Sequence, residues 1–246
     1  MTWHEFALGD LNIGDGKTVW KIEDVCNLIE NYGISVFFGQ EFGDRADVVA
    51  AVLEKHPSWR VVWHKSKNKY RDVPILFDSK VWKKTFWTEL QIHIGYLGPQ
   101  GAGGDNPGFK ALNVVRLKHR KARRTVQFQN HHTIASAFST HGPEGARRKA
   151  AYTRQIREFF AWVRKGKIVI GGGDWNAEKT NKIIKHLKPA HWIWVNTKAT
   201  MRTNTIDLIG FTLSGKLKFV KAVLLETSGS KFNNDHRAVV VTFRIR

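Results

Sequence analysis

The chain has 246 residues, 42% hydrophobic and 12% aromatic, with 40 Lys and Arg against 21 Asp and Glu, giving a net charge of +19. Its apolar content suffices for a sizeable core, which excludes a disordered polyelectrolyte, while no apolar run reaches the roughly 18 to 20 residues of a membrane-spanning helix. The single cysteine, Cys26, excludes an internal disulfide framework and a cysteine metal cage.

The elements follow from hydrophobic periodicity and turn chemistry. Phe6 to Asn12 reads as a strand, and Val19 to Asn31 as a helix ending near Gly33. "ISVFFG" (34–39) is a short, fully apolar strand, and Asp44 is placed to cap a helix over "RADVVAAVLEKH". "WRVVWH" (59–64), "VPILFD" (73–78) and "VWKKTFW" (81–87) read as successive strands. The glycine-rich loop "GYLGPQGAGGDNPG" (95–108) has no apolar periodicity, and no helix follows its glycines as a nucleotide-binding fingerprint requires. "ALNVVRL" (111–117) and "RTVQFQNHHTIA" (124–135) form a strand pair joined by a basic turn, and residues 143–166 a long helix. "KIVIGGG" is a strand and "AEKTNKIIKHL" a helix. "HWIWVN", "TIDLIGF", "LKFVKAVLLE" and "RAVVVTF" close the chain as strands. Both halves thus run strand, helix, strand, then several strands, which predicts a layered α/β arrangement of two packed sheets. No linker, repeat or low-complexity segment divides residues 1–246, so one domain is expected.

Basic residues cluster in "KSKNKYR" (65–71), "KHRKARR" (118–124) and "RRKAAYTRQIR" (147–157), and recur at Lys179, Lys182, Lys185 and Lys188. Folding gains nothing from packing so much like charge into one domain, so a polyanionic partner is expected, nucleic acid before an anionic membrane surface. The amino terminus lacks the basic start and apolar stretch of a signal peptide, and with one cysteine this predicts an intracellular, cytoplasmic protein.

Polar residues gather where strands end: Asn12, Gln40 and Glu41, His131 and His132, Asp174 and Asn176, Asp207, and Asp235 with His236. Each alone is accounted for by a strand cap, a turn or a buried hydrogen-bonded group. Together, in the order "LN", "GQE", "NHH", "GGDWNAE", "TIDLIGF" and "NDHRAVVV", they resemble the DNase I-like endonuclease/exonuclease/phosphatase superfamily over residues 8 to 242. "GDWN" and "DHRAV" are the most specific pieces. The glycine-rich loop is similar to that of bacteriophage-borne members.

The resemblance implies a four-layered α/β/β/α sandwich of two packed mixed sheets, with the active site at one rim. It implies hydrolysis of phosphoric esters with a divalent cation, Mg²⁺ or alternatively Mn²⁺. On this pattern Glu41 is a metal ligand, with Asn12 and Asp235 near the same ion or a second one. Hard oxygen ligands suit Mg²⁺, which keeps several waters and takes one or two protein carboxylates. Asp174 orients or deprotonates the attacking water, and Asn176 holds a phosphate oxygen or that water. His236 contacts the scissile phosphate, with Asp207 fixing its tautomer and favouring its protonated form. His132 matches the family's other active-site histidine. Because adjacent strand residues point to opposite faces, only one of His131 and His132 can face the site. The glycines before Asp174 are expected to let backbone or substrate approach closely.

Three departures qualify the pattern. Gly14 stands where many members carry an acidic residue, and "NNDHR" lacks the commoner serine before Asp-His, a role open to Asn234. For the family's mid-chain acidic residue and tyrosine, Tyr70, Arg71 and Asp72 are the candidates. Arg71, Arg120, Lys121, Arg123 and Arg124 are the expected substrate-binding cations. The substrate expected is DNA before RNA. The alternatives are a phosphatase or lipid phosphodiesterase of the same superfamily, and a non-catalytic nucleic-acid-binding module.

Overall fold

The computed structural model describes residues 2–14, 18–43, 45–63, 72–93, 109–195, 200, 204–226 and 236–246. Asp44, Tyr70, Arg71, the loop 95–108, Asn234 and Asp235 lie outside the described residues.

The first half of the chain runs β1 (His4–Asn12), α1 (Thr18–Tyr32), β2 (Ile34–Gln40), α2 (Ala46–Lys55), β3 (Trp59–Val62) and β4 (Ile75–Asp78). There follow β5 (Trp82–His93), β6 (Phe109–His119), β7 (Thr125–His132), α3 (Gly142–Lys165) and β8 (Val169–Asp174). The chain ends with α4 (Lys182–Leu187), β9 (Trp192–Trp194), β10 (Gly210–Thr212), β11 (Leu217–Leu225) and β12 (Ala238–Ile245). One sheet has the order β11-β12-β1-β2-β4-β3 and the other β5-β6-β7-β8-β10-β9. Each is built around a parallel pair, β1 with β2 and β7 with β8, joined through a helix; the other pairings are antiparallel.

Strand periodicity sets the layers. In β1, Phe6 and Leu8 enter the apolar core between the sheets, whereas Ala7 and Leu11 pack on the opposite side with Val25, Leu28 and Val49 of the first two helices. In β7 and β8, Val126, Phe128 and Ile170 face the inter-sheet core, and Val169 meets Ile156, Phe159 and Phe160 of α3. Three apolar layers therefore separate helices, sheet, sheet and helices: the α/β/β/α sandwich that the resemblance implies. Each fully buried Leu or Phe contributes roughly 1.5–3 kcal/mol to holding the layers together.

Several predicted elements shift. "VWKKTFW" extends to His93 as β5, one partner of a long antiparallel hairpin with β6. "AEKTNKIIKHL" is helical only from Lys182, because the Asn181 side chain caps it by accepting from the Ile183 N–H at 2.9 Å. "TIDLIGF" pairs as a strand only from Gly210; before it, Asp207 forms a single bridge to Asp174. The residue preceding α2 is Arg45, which supplies no side-chain cap. No described helix is long and apolar enough to cross a membrane.

Candidate active site

The same alternation that builds the core builds the site. On the inward face of β1, Phe6 and Leu8 are followed by Asp10 and Asn12; on β2, Val36 and Phe38 by Gln40. On β7, Val126 and Phe128 give way to Asn130 and His132, and on β8, Ile170 to Asp174. The four strands bring these polar ends to one rim, where Gln40 donates to Asn130 Oδ1 at 2.8 Å and Asn12 donates to Asp174 Oδ2 at 3.1 Å. Parity also resolves the histidine pair. His132 shares the inward face, whereas the His131 ring lies 4.6 Å from that of Phe159 and 4.3 Å from that of Trp175, on the α3 side. Burial, with a smaller contribution from His132, depresses the His131 pKa to about 3.

Asp174 Oδ2 is the focus. Besides the Asn12 amide, it has His132 Nε2 at 3.6 Å and His236 Nε2 at 3.9 Å. Each imidazole is held from behind by a carboxylate: His132 Nδ1 lies 2.8 Å from Asp72 Oδ2, and His236 Nδ1 lies 2.9 Å from Asp207 Oδ2 and 3.1 Å from Oδ1. A carboxylate on Nδ1 fixes the tautomer and favours the imidazolium. Burial opposes charge on His236, but Asp207, with help from Asp174 and Glu41, outweighs it and raises the pKa to about 9. For His132, burial and Lys110 oppose charge, and Asp72 with Asp174 prevails, so its pKa is also raised. In return, and against the burial that opposes its charge, His132 holds Asp72 at about 2. Burial raises the pKa of Asp174, opposed first by His132 and reinforced by Asp207.

The local backbone makes this convergence possible. Gly173 sits at φ +121°, and a Cβ there would lie 2.0 Å from the His131 carbonyl; one on Gly172 would lie 2.7 Å from the Leu208 carbonyl. The close approach expected of these glycines is therefore taken up by the protein's own backbone. Beyond Asp174, Asn176 turns the chain at φ +45°, a conformation that asparagine tolerates. Its N–H donates to Asp174 Oδ1 at 2.7 Å and its side chain to the Thr133 carbonyl at 3.1 Å. Glu41 also lies at positive φ, +63°, where a non-glycine residue costs of order 1–3 kcal/mol. Its Oε1 accepts from Asn12 Nδ2 at 3.0 Å, and its backbone N–H bonds the Asp72 carboxylate.

Oxygen donors for a cation are present. Glu41 Oε1 and Asp174 Oδ2 share the Asn12 amide nitrogen, and Asp174, Asp207 and His236 offer atoms all within 4.8 Å of one another, a group that could hold a metal ion. This acidic, oxygen-rich set fits a hard divalent cation. Asn12 presents nitrogen to the carboxylates, while its Oδ1 accepts from the Gly14 N–H at 2.9 Å. The Gly14 carbonyl in turn accepts from the buried Lys21 ammonium.

Three supporting residues escaped the sequence reading, and a fourth was left among alternatives. Asp72 was one of three unresolved candidates; its pairing with His132 selects it. Thr200 Oγ1 accepts from the Ile206 and Asp207 N–H groups at 3.1 and 3.0 Å, and its carbonyl accepts from the N–H of Arg237, beside His236. Asn130 ties the sheets by donating to the Gly39 and Pro74 carbonyls at 2.7 and 3.0 Å. Asp10 is 1% exposed and accepts from Gln40 at 2.9 Å, leaving its Oδ2 without a partner among the described residues. Burial, then Asp207, raises its pKa well above the usual carboxylate range. Its parity with Asn12 was the available signal.

The basic turn lies apart from the rim. Lys118 pairs with Thr125 at the closed end of the β6–β7 hairpin, and Leu112 pairs with His131 at the other end. Arg120, Lys121, Arg123 and Arg124 therefore lie beyond the opposite end of the eight-residue β7 from His132, roughly 23 Å away at about 3.3 Å per residue. They are not part of the catalytic rim.

No family model and no curated protein sequence matches the chain. Solved structures do. An endonuclease/exonuclease/phosphatase family protein from Bacteroides thetaiotaomicron superposes with TM-score 0.76 at 12% identity, over 100% of both chains. D. rerio TDP2 complexed with a single-strand DNA product matches with TM-score 0.72 at 13% identity, covering 97% of this chain and 98% of that one. ANGEL2, a 2′,3′-cyclic phosphatase, matches with TM-score 0.73 at 12% identity, covering 99% and 97%. The chain thus has the DNase I-like fold of the endonuclease/exonuclease/phosphatase proteins.

Proposed function

We propose that this chain is a divalent-metal-dependent phosphodiesterase that acts as a nuclease, on DNA before RNA. The observation that carries the reading is the convergence of two carboxylate-backed imidazoles and one amide on Asp174 Oδ2. In-line hydrolysis of a phosphodiester needs an activated water, neutralisation of the phosphoryl oxygens and a proton for the leaving oxygen. Asp174, its basicity raised by burial, accepts a proton from water as the water oxygen bonds to phosphorus and the bond to the leaving oxygen breaks. His132, charged against Asp72, gives its Nε2 proton to the leaving oxygen, and the proton held by Asp174 returns through solvent. His236, charged against Asp207, donates Nε2–H to a non-bridging phosphoryl oxygen, and the Asn176 amide holds another. Glu41, with Asn12 and Asp235 near the same ion or a second one, would hold Mg²⁺ (or Mn²⁺), which when bound would supply further charge neutralisation at the phosphate.

The net charge of +19 and the TDP2 complex with a DNA product support a nucleic-acid substrate. A smaller phosphoester is the second reading, supported by the 2′,3′-cyclic phosphatase among the structures of this fold. The test is purified protein with Mg²⁺ against supercoiled plasmid, linear duplex, single strands, RNA and a soluble phosphomonoester, side by side. Cleavage of the polymers, abolished by EDTA, is expected; turnover of the monoester alone would overturn the nuclease reading.

A further inference from the structure

The outer face of the second sheet, at the end remote from the catalytic rim, carries a concavity of about 340 Å³ lined by Lys83, Thr85, Lys118, Arg120 and Arg123. No carboxylate lines it among the described residues. Lys83 and Lys118 are direct cross-strand partners, a like-charge pairing that destabilises a sheet unless an anion lies between or above them. The side chains of Lys83, Lys118 and Arg123 make no hydrogen bond or ion pair among the described residues. Arg120 is anchored through Nε to the Ser79 carbonyl at 2.8 Å, which fixes its guanidinium in place. Arg123 holds its position at φ +59° in the tight turn.

Beside this pocket, on the same face, cations and rings form a row. Arg116 lies 5.0 Å over Phe86, Phe86 stacks on Trp162 with centroids 6.2 Å apart, and Lys165 lies 4.3 Å over Trp162. Phe86 is 36% exposed. Cations without a protein partner among the described residues, grouped in a concavity and flanked by further cations seated on rings, match a phosphodiester backbone. A membrane surface would instead favour a protruding apolar loop, whereas these rings lie flat and each is covered by a cation.

We propose that this face is a second nucleic-acid-binding site, gripping the backbone at least roughly 23 Å from His132, a span of no fewer than about seven base pairs at about 3.4 Å each. It rests on the nucleic-acid reading above, but it adds a site that touches no reacting atom and governs how substrate length is sensed.

The test measures the affinity of the His236→Ala protein, expected to bind without cleaving, for fluorescent duplexes from about five to about 25 base pairs long. Affinity should step up once the duplex exceeds the span between the sites. The double substitution Lys83→Gln with Lys118→Gln, which removes no hydrogen bond, should weaken long duplexes about tenfold. It should lower the slope of log affinity against log salt by about 1.8 and leave the shortest duplexes unaffected. Adding Arg120→Gln and Arg123→Gln should remove the length step. An unchanged slope, an equal loss at every length, or a loss of binding to phosphatidylserine vesicles with DNA binding intact would each overturn the proposal. A length step without cleavage by the unsubstituted protein would sink the nuclease reading and leave this site standing; cleavage without a step would do the reverse.

Discussion

Replacing His131 by leucine separates the two neighbouring histidines by stability rather than activity. His131 is 2% exposed, its Nε2 has no hydrogen-bond partner among the described residues, and its ring is packed against Phe159 and Trp175. Its folded pKa is about 3 against an ordinary 6.5. It is therefore neutral in the fold, and the unfolded chain takes up a proton first as pH falls. Its contribution is fully present above pH 6.5 and is lost progressively toward pH 3, at about 1.4 kcal/mol per pH unit. Between pH 6.5 and pH 5 the unsubstituted protein should lose about 2 kcal/mol on this account. His131→Leu should be close to neutral at pH 7, since an apolar side chain of similar size replaces an unsatisfied polar one. At pH 5 it should then be the more stable protein by about 2 kcal/mol. Urea unfolding at the two pH values, followed by tryptophan fluorescence, reads the difference directly. The same pH dependence in both proteins would mean that His131 does not occupy this apolar pocket, and the strand register that places His132 in the site would fail with it.

The other expectations concern the rim. His132→Ala should lower kcat by at least about a hundredfold, whereas His131→Leu should leave it nearly unchanged; the opposite ranking would move the site by one residue. Asp72→Asn should act through His132, lowering the imidazole pKa seen by NMR in the metal-free protein, and should add little to His132→Ala in the double mutant. Asp207→Asn and His236→Ala should likewise be non-additive, because Asp207 works through the ring that it holds; additive losses would show two independent contributions. Glu41→Gly should abolish activity at modest Mg²⁺ yet stabilise the metal-free protein by about 1 kcal/mol, as glycine relieves the positive φ; a lower melting temperature would refute the strain argument.

The inward-facing parity of strands made much of this site legible. Asn12, His132 and Asp174 lie at the ends of patterns whose apolar members already mark the core face, so the sequence motif and the packing point to the same residues. Asp72 was harder to select because it lies where no periodicity runs, and only the fold brings it across 60 positions to His132. Thr200 acts through a hydroxyl on two backbone N–H groups, a role that no spacing announces. How far the basic turn lies from the rim was not legible for a related reason. Charge is readable from composition, but which end of an antiparallel hairpin it occupies depends on where the hairpin closes. The strand expected at "TIDLIGF" shortened because Asp207 spends its backbone on one bridge to Asp174 and its side chain on His236.

Asp174 is the group on which the account depends, and Asp174→Asn is its most direct test. The substitution keeps the shape of the side chain while removing the carboxylate's charge and with it the ability to take the water's proton. Cleavage of labelled duplex DNA in Mg²⁺ should fall by at least about a thousandfold relative to the unsubstituted protein, with duplex affinity within about twofold. Undiminished cleavage by Asp174→Asn would contradict the central claim that the rim is organised around this carboxylate.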